Sequence, residues 1–460
     1  MARTVRVILQ QPVAVLNRPS NAGMYGLRQQ GGVLVLGTIM LAAAALMLVR
    51  YHAVGQMAAH KIGQDHALDA AAYSGAIVQA RSLNTLGYVN RAHVGHQIAM
   101  AHLVTLGAWA LWGGNKAAQL ASGNPPAHVI TMFFGPEHGQ AYLAAARAAG
   151  FQAKAGSGGD LARAYTDHDA VIRTVLVGVQ HDIVRTLPSA RERAIRQILH
   201  EQYPEVATTD FNLSISHDNW HGFLERTSGH NTLRSLVLDA AAMYRFLDPR
   251  NHTASNTWMV DGRCPALRHQ LRRRGHTTLN EAGVWSAVDT ESFHALRSNR
   301  WIGCYYREYA LGWGWIPASQ AEPMGEPHVD DPPVNFSAQD FWRWVSESTQ
   351  WNIHSGTDNP LANSFANAQK PHWQGGGLPA VYDVANQADQ QGLKFALTLK
   401  LPGPESLTVT SHSAARTFFA RPNLREDGRH ERPNLFRPYW QAGLIPYPVM
   451  PGTPPGQGAP

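Results

Sequence analysis

Several groups of residues have the types that chemistry uses. His217 and His221 stand four apart in SHDNWHGF, and His230 follows. On a helix the first two would share a face, the arrangement zinc sites use. His93, His96 and His102 form a looser set. Asp289, Ser292 and His294 fall within DTESFH, the composition of a nucleophilic triad. None of these groups reaches a motif. HEQYP (200–204) ends in Pro, and the chain has no GxSxG. A helix capped by Asp289 and Thr290 explains that stretch more simply, and scattered histidine explains the rest. QGGGLP (374–379) is followed by neither Lys nor a helix-favouring run, so it is not a phosphate loop. The expectation is no catalytic residue, no metal ligand set and no cofactor.

Two clusters bear on binding instead. RHQLRRRGH (268–276) is a basic patch, either a solvated loop or a surface for anionic headgroups, cell-wall polymers or an acidic partner. WIGCYYREYALGWGWIP (301–317) is the densest aromatic run. It suits a β-rich core, with glycan or partner stacking as the alternative.

The elements that position these residues begin with VLVLGTIMLAAAALMLV, Val33–Val49, which carries no charge. With Gly31 and Gly32 it is just long enough for the roughly 30 Å hydrocarbon core of a bilayer. A cleaved signal peptide is the competing reading. A leader of about 30 residues, and an apolar run longer than the usual 7–15, favour a retained anchor. No Asp or Glu precedes Asp65, whereas Arg3, Arg6, Arg18 and Arg28 precede the run. The positive-inside rule then predicts a cytoplasmic N-terminus and a periplasmic remainder. The net charge of +6 thus belongs largely to a membrane flank, and no nucleic-acid partner is expected. In an oxidising compartment the two cysteines, Cys264 and Cys304, are expected to pair.

Beyond the anchor the sequence predicts an α+β chain. Residues 1–30 read as a basic cytoplasmic leader, 31–50 as the transmembrane anchor and 51–120 as a small-residue-rich helical stalk ended by GGN (113–115) and GNPP (123–126). Residues 121–204 read as helical, with Asp167 and Ser189 as caps and a hairpin around Pro188. Residues 205–446 read as an irregular periplasmic α+β region, with AEPMGEPHVDDPP (321–333) as a linker or loop. There LKFALTLKL (393–401) alternates strictly, and SLTVTS (406–411) completes a C-terminal antiparallel β-hairpin. SAARTFFARP is expected to add a short helix. Residues 447–460 read as a disordered tail.

In DHALDAAAYSGAIVQARSLN (65–84), Ala71 and Gly75, and Ala72 and Ala76, lie four apart. Such spacing makes a smooth helix face on which another backbone can pack closely. The partner is either the chain's own domain or a neighbouring subunit, with Gln79 expected on the exposed side.

Gln30, Gly31 and Gly32 before the span, then Gln64, Asp65, Asp69, Ala70, Ala71, Ala72, Tyr73, Ser74 and Gly75 after it, resemble the N-terminal region of TadE/TadG-like Flp (tight-adherence) pilus-assembly proteins. The block through Asn90, Arg91 and Gln97, the looser WSAVDTESFHALR (285–297), and AARTFFARPNLREDGRHERPNLFRPYWQAGLIP (414–446) resemble an uncharacterised proteobacterial branch of that group. The resemblance implies a single-pass bacterial inner-membrane scaffold. Its partners would be the lipid bilayer and other pilus-assembly or pilin-like subunits. The Asp-x-Ser-x-Ser triplet of members with a von Willebrand-type domain is absent, so metal-dependent adhesion is not implied. Neither Gly31 nor Gly32 is followed by an acidic residue within the apolar run, so prepilin-peptidase processing is not expected. The rival readings are a membrane-anchored periplasmic hydrolase and a glycan- or partner-binding module.

Overall fold

The computed structural model describes residues 32–227, 232–301, 303–318, 372–388, 391–423, 425 and 427–448. The basic leader, Gln30, Gly31, His230, the 321–333 stretch and residues 449–460 of the tail lie outside them. Contacts divide the chain into two units, residues 1–62 with 402–407 and residues 63–401 with 408–460.

In the first unit the described helical residues include Val33–Val49. The large side chains of this run, from Val33 through Leu41 to Val49, are all exposed, and the helix there is apolar enough to cross a membrane.

Helix α1 is Gly32–Ser122. Ala, Leu and Gln dominate it and proline is absent, so nothing interrupts its hydrogen-bond ladder. It runs straight through Gly113, Gly114 and Asn115, which were expected to end it. Packing explains why. A Cβ at Gly113 would lie 2.9 Å from that of Ala148, and one at Gly114 would lie 2.8 Å from that of Gln152. The helix stops only before Gly123, whose φ of +68° is left-handed backbone.

Then follow α2 (Ala127–Phe134), α3 (Pro136–Ala144), a 3-10 stretch (Ala145–Phe151) and α4 (Gln152–Ala155). Next come α5 (Asp160–Ala170), a π-helical stretch (Val171–Leu176) and α6 (Val177–Gln202). The expected hairpin at Pro188 does not form, because Pro188 sits inside α6. Losing one backbone donor is offset by the buried face of Leu187, Arg191, Ile195 and Leu199. Asp167 and Ser189 are therefore helix-interior residues, not caps. The Ser189 hydroxyl donates to Thr186 O at 2.9 Å, and Glu192 accepts from Arg196 at 2.9 Å.

The remaining elements are β1 (Asn212–Ser216), β2 (Leu224–Thr227), α7 (Thr232–Ala241), β3 (His252–Ser255), β4 (Gln270–Leu279), β5 (Trp285–Asn299), β6 (Gly303–Pro317), β7 (Val381–Val384), β8 (Leu393–Pro402), β9 (Thr408–Phe419) and β10 (Trp440–Ile445). Among the described residues they make three sheets, ordered β1-β8-β9-β10, β2-β7 and β3-β4-β5-β6. The alternating residues Leu393, Phe395, Leu397, Leu399 and Leu401 are all buried, as the period of two requires. Two expectations fail here. WSAVDTESFHALR is strand β5, not a capped helix, and SAARTFFARP lies largely in strand β9, not in a short helix. Each strand is flanked by partners on both sides, so tertiary pairing outweighs the local cap signal.

The smooth face of α1 is covered by the chain itself. Ala71, Ala72 and Ala76 are fully buried, in one cluster with Ile195 and Leu199 of α6 and with Phe395 and Leu397 of β8. A Cβ at Gly75 would lie 2.9 Å from Ile195 Cγ1 and 3.0 Å from Phe395 Cζ. Gly75→Leu is therefore expected to cost about 1–3 kcal/mol or more by overpacking. Tyr73→Leu, at an exposed position, should change stability little. Urea unfolding of the two variants checks the contrast, and equal midpoints would contradict it. Gln79 is not the exposed position expected: it is fully buried beneath β9.

Cys264 and Cys304 form a disulfide with a Cα–Cα distance of 6.0 Å. It closes a loop across a sequence separation of 40, tying the approach to β4 to the start of β6. Replacing both by Ser should lower unfolding stability by about 2–4 kcal/mol. Denaturant titration with and without reductant measures it.

Candidate functional site

From Gln64 onward, α1 meets the strands of the second unit through uncharged polar side chains as well as apolar ones. Gln64 donates from Nε2 to Leu399 O at 3.1 Å and to Val409 O at 3.2 Å. Thr417 Oγ1 donates to Ala76 O and lies 3.0 Å from Gln79 Oε1. Asn84 holds β10 reciprocally, donating to Trp440 O at 3.0 Å and accepting from Trp440 N at 2.9 Å. Asn90 donates to Leu435 O at 2.7 Å and Tyr382 O at 3.0 Å, while Gln180 donates to its Oδ1. Further along, Gln97 Oε1 accepts from Trp285 Nε1 at 3.0 Å and Asn115 Nδ2 donates to Trp313 O at 2.7 Å. Gln64, Gln79, Asn90 and Gln97 are spaced by 15, 11 and 7 residues. At about 100° per residue the four positions fall within about 80° of one another, so one helix face carries a row of side-chain amides. A buried amide is costly unless hydrogen-bonded, so these partners fix where each strand sits on the helix.

The aromatic run 301–317 contributes glycine as well as Trp. Gly312 and Gly314 of β6 face α1. A Cβ at Gly312 would lie 2.6 Å from Trp112 O, and one at Gly314 would overlap Ala108 O. Alternating glycine lets the sheet touch the helix backbone, which a patch read only for its aromatics does not reveal. Trp315 and Ile316 are buried, whereas Trp301 is exposed.

The DTESFH residues are divided between the two faces of β5, since successive side chains alternate. Ser292 and His294 share one face, with Oγ 2.7 Å from Nε2. Asp289 is on the other, fully buried, beside Arg250 Nε at 2.8 Å and Nη2 at 2.9 Å, with Arg273 at 3.5 Å. Burial raises the Asp289 carboxyl above its usual range, and the two guanidiniums pull it back. The nearby Glu291 pairs with Lys116 of α1 at 2.7 Å. Burial, and then Glu291, raises the Tyr142 phenol, which donates to Pro125 O. The acid of a triad thus points away from its base, and its two oxygens are taken by arginine. The basic patch is likewise part of strand β4. Arg273 stacks 4.0 Å from the Trp112 ring, and Arg274 donates to His252 O at 2.7 Å.

The histidines do not gather. His217 and His221 lie on a bend and a turn, not on a helix, and His217 is 6.4 Å from the Tyr447 ring. His93, His96 and His102 are all on α1, but His102 packs on Phe246 at 4.5 Å and His96 faces His168 of α5, Nδ1 to Nδ1 2.8 Å. His93 is buried, which pushes its pKa down to about 4 with a smaller contribution from His96. Among the described residues no group of three His, Cys, Asp or Glu has metal-binding geometry.

The chain is a mixed α+β protein built on a long N-terminal helix, with antiparallel sheets and one disulfide. Comparison with protein-family models, with curated proteins and with solved structures finds no match in any of the three.

Proposed function

We propose that the protein is a single-pass, membrane-anchored scaffold of Flp-type pilus assembly or a related surface secretion system, without catalytic activity. Its N-terminus lies in the cytoplasm and its disulfide-bonded region on the outer side of a bacterial inner membrane. The observation that carries this reading is the change of character within α1. Val33–Val49 leaves its apolar side chains uncovered, whereas from Gln64 onward the helix is enclosed by the chain's own sheets through the amide row. A helix uncovered and uncharged over 17 residues is suited to lipid. The Ala71–Ala76 face is already occupied, so contact with neighbouring subunits belongs on exposed positions of α1 such as Tyr88.

Two measurements test the reading. Alkaline phosphatase fused after Pro460 should be active, as required of an outward C-terminus. A photocrosslinking residue at Tyr88 should yield adducts with another pilus-assembly subunit, while the same residue at the buried aromatic position Phe395 should yield only contacts within the chain. Surface pili of normal number in a strain lacking the protein would refute the assembly role.

A further inference from the structure

We infer that the second unit binds one long-chain alkyl carboxylate in a slot beside α1. The slot has a volume of about 610 Å³, within the range of small-ligand sites. One wall is Leu106 and Trp109 of α1, and the walls meet at Gly113, where a Cβ would lie 2.9 Å from that of Ala148. The other wall is Ala141, Ala144 and Ala148, which repeat at three- and four-residue spacing along α3 and the following 3-10 stretch. Methyl groups opposite indole rings leave a narrow trough where larger residues would close it. The α1 lining runs from Leu106 to Lys116, about 15 Å at the helical rise, so the trough suits a chain better than a compact ring.

Charge selects the headgroup. Two ammonium groups line the slot. Lys116 is satisfied, since Glu291 holds it at 2.7 Å. Lys154 is exposed and makes no ion pair among the described residues. Its Nζ lies 5.4 Å from the Phe151 ring, at the slot's edge. Among the described residues no acidic side chain lines the slot. The ligand is therefore apolar along its length and anionic at one end. Trp109 and Phe151, each about half exposed (45% and 53%), would be covered by its chain.

The test uses the full-length protein in nanodiscs and a palmitic acid analogue with a diazirine on its chain. Label in the bilayer span serves as the internal reference. After irradiation, peptides containing Trp109 and Ala148–Lys154 should be labelled, and excess palmitate should remove that label. Ala144→Trp fills the trough from an exposed position and should cut labelling there at least tenfold. Lys154→Glu should cut it at least threefold. A diazirine probe with the same chain and a trimethylammonium head should label wild type far less than the carboxylate. Circular dichroism melting within a few degrees of wild type establishes that each variant is folded. Labelling confined to the bilayer span, labelling unchanged by both variants, or equal labelling by the cationic probe would each overturn the assignment.

Discussion

Asp289→Ala should unfold the second unit more readily by about 3–5 kcal/mol, while Ser292→Ala should cost only about 1 kcal/mol. Asp289 is fully buried and answers two cations, Arg250 and Arg273, of which Arg250 is itself only 12% exposed along its side chain. Deleting the carboxylate strands buried charge, and that is the costly half of any buried ion pair. Gly275 has no side chain where the Asp289 carboxylate lies, and Arg250 N donates to Gly275 O at 2.7 Å, so the cluster also ties the chain before β3 to the β4–β5 pair. Asp289→Leu combined with Arg250→Met should recover much of the loss, because Arg273 keeps its stacking on Trp112 at 4.0 Å. Chemical unfolding monitored by tryptophan fluorescence measures all three. A triad would give a different result: Asp289→Ala would leave stability nearly unchanged and abolish a hydrolytic activity. Equal stability of Asp289→Ala and wild type would remove the ion-pair account.

The same segment shows where sequence reasoning stops. DTESFH has both a cap composition and a triad composition, and both are local signals. What decides it is that β4 and β6 flank it, at registers Gly275↔Asp289 and Asp289↔Gly314. Both partner strands are its neighbours in the chain, but neither Gln270–Leu279 nor Gly303–Pro317 alternates strictly enough to announce the pairing. LKFALTLKL was legible because its alternation alone places five apolar residues on one face. The uncharged apolar run was legible from composition alone, and the cysteine pairing from an even count together with the expected outward topology. The amide row of α1 was missed, although its signal was present. Gln64, Gln79, Asn90 and Gln97 return to one face of a helix whose small residues drew attention first. Buried amides at helical return distances point to strands crossing that helix, and Gln79 belonged with them rather than with the exposed side. SARERAIRQ suggested a capped start because Ser and Glu stood at the right offsets. The helix was already running there, held by Leu187, Arg191 and Ile195 against the rest of the unit.

Acidification should weaken the fold, and His93 should carry a large part of the loss. Burial lowers His93 to about 4 from the ordinary 6.5, and it also lowers His96, His269 and, most strongly, His294. In the unfolded chain each ring takes its proton near pH 6.5, whereas the folded chain resists until lower pH. Stability is therefore full above pH 6.5, falls as pH drops through the window to about 4, and levels off for His93 below that. A shift from 6.5 to about 4 corresponds to roughly 3 kcal/mol from His93 alone. The other three histidines add in the same direction. The His96–His168 contact adds a geometric constraint. Two Nδ1 atoms 2.8 Å apart need one N–H and one lone pair, so this contact between α1 and α5 holds the two rings in complementary hydrogen-bonding states. Burial raises the Asp289 and Asp383 carboxyls, which works in the opposite sense because the folded chain then takes up their protons first. Comparing variants separates these contributions. His93→Leu should lose about 3 kcal/mol less than wild type between pH 7 and pH 4 in urea unfolding, whatever its stability at pH 7. If the two proteins lose the same amount over that interval, His93 is not held neutral by burial.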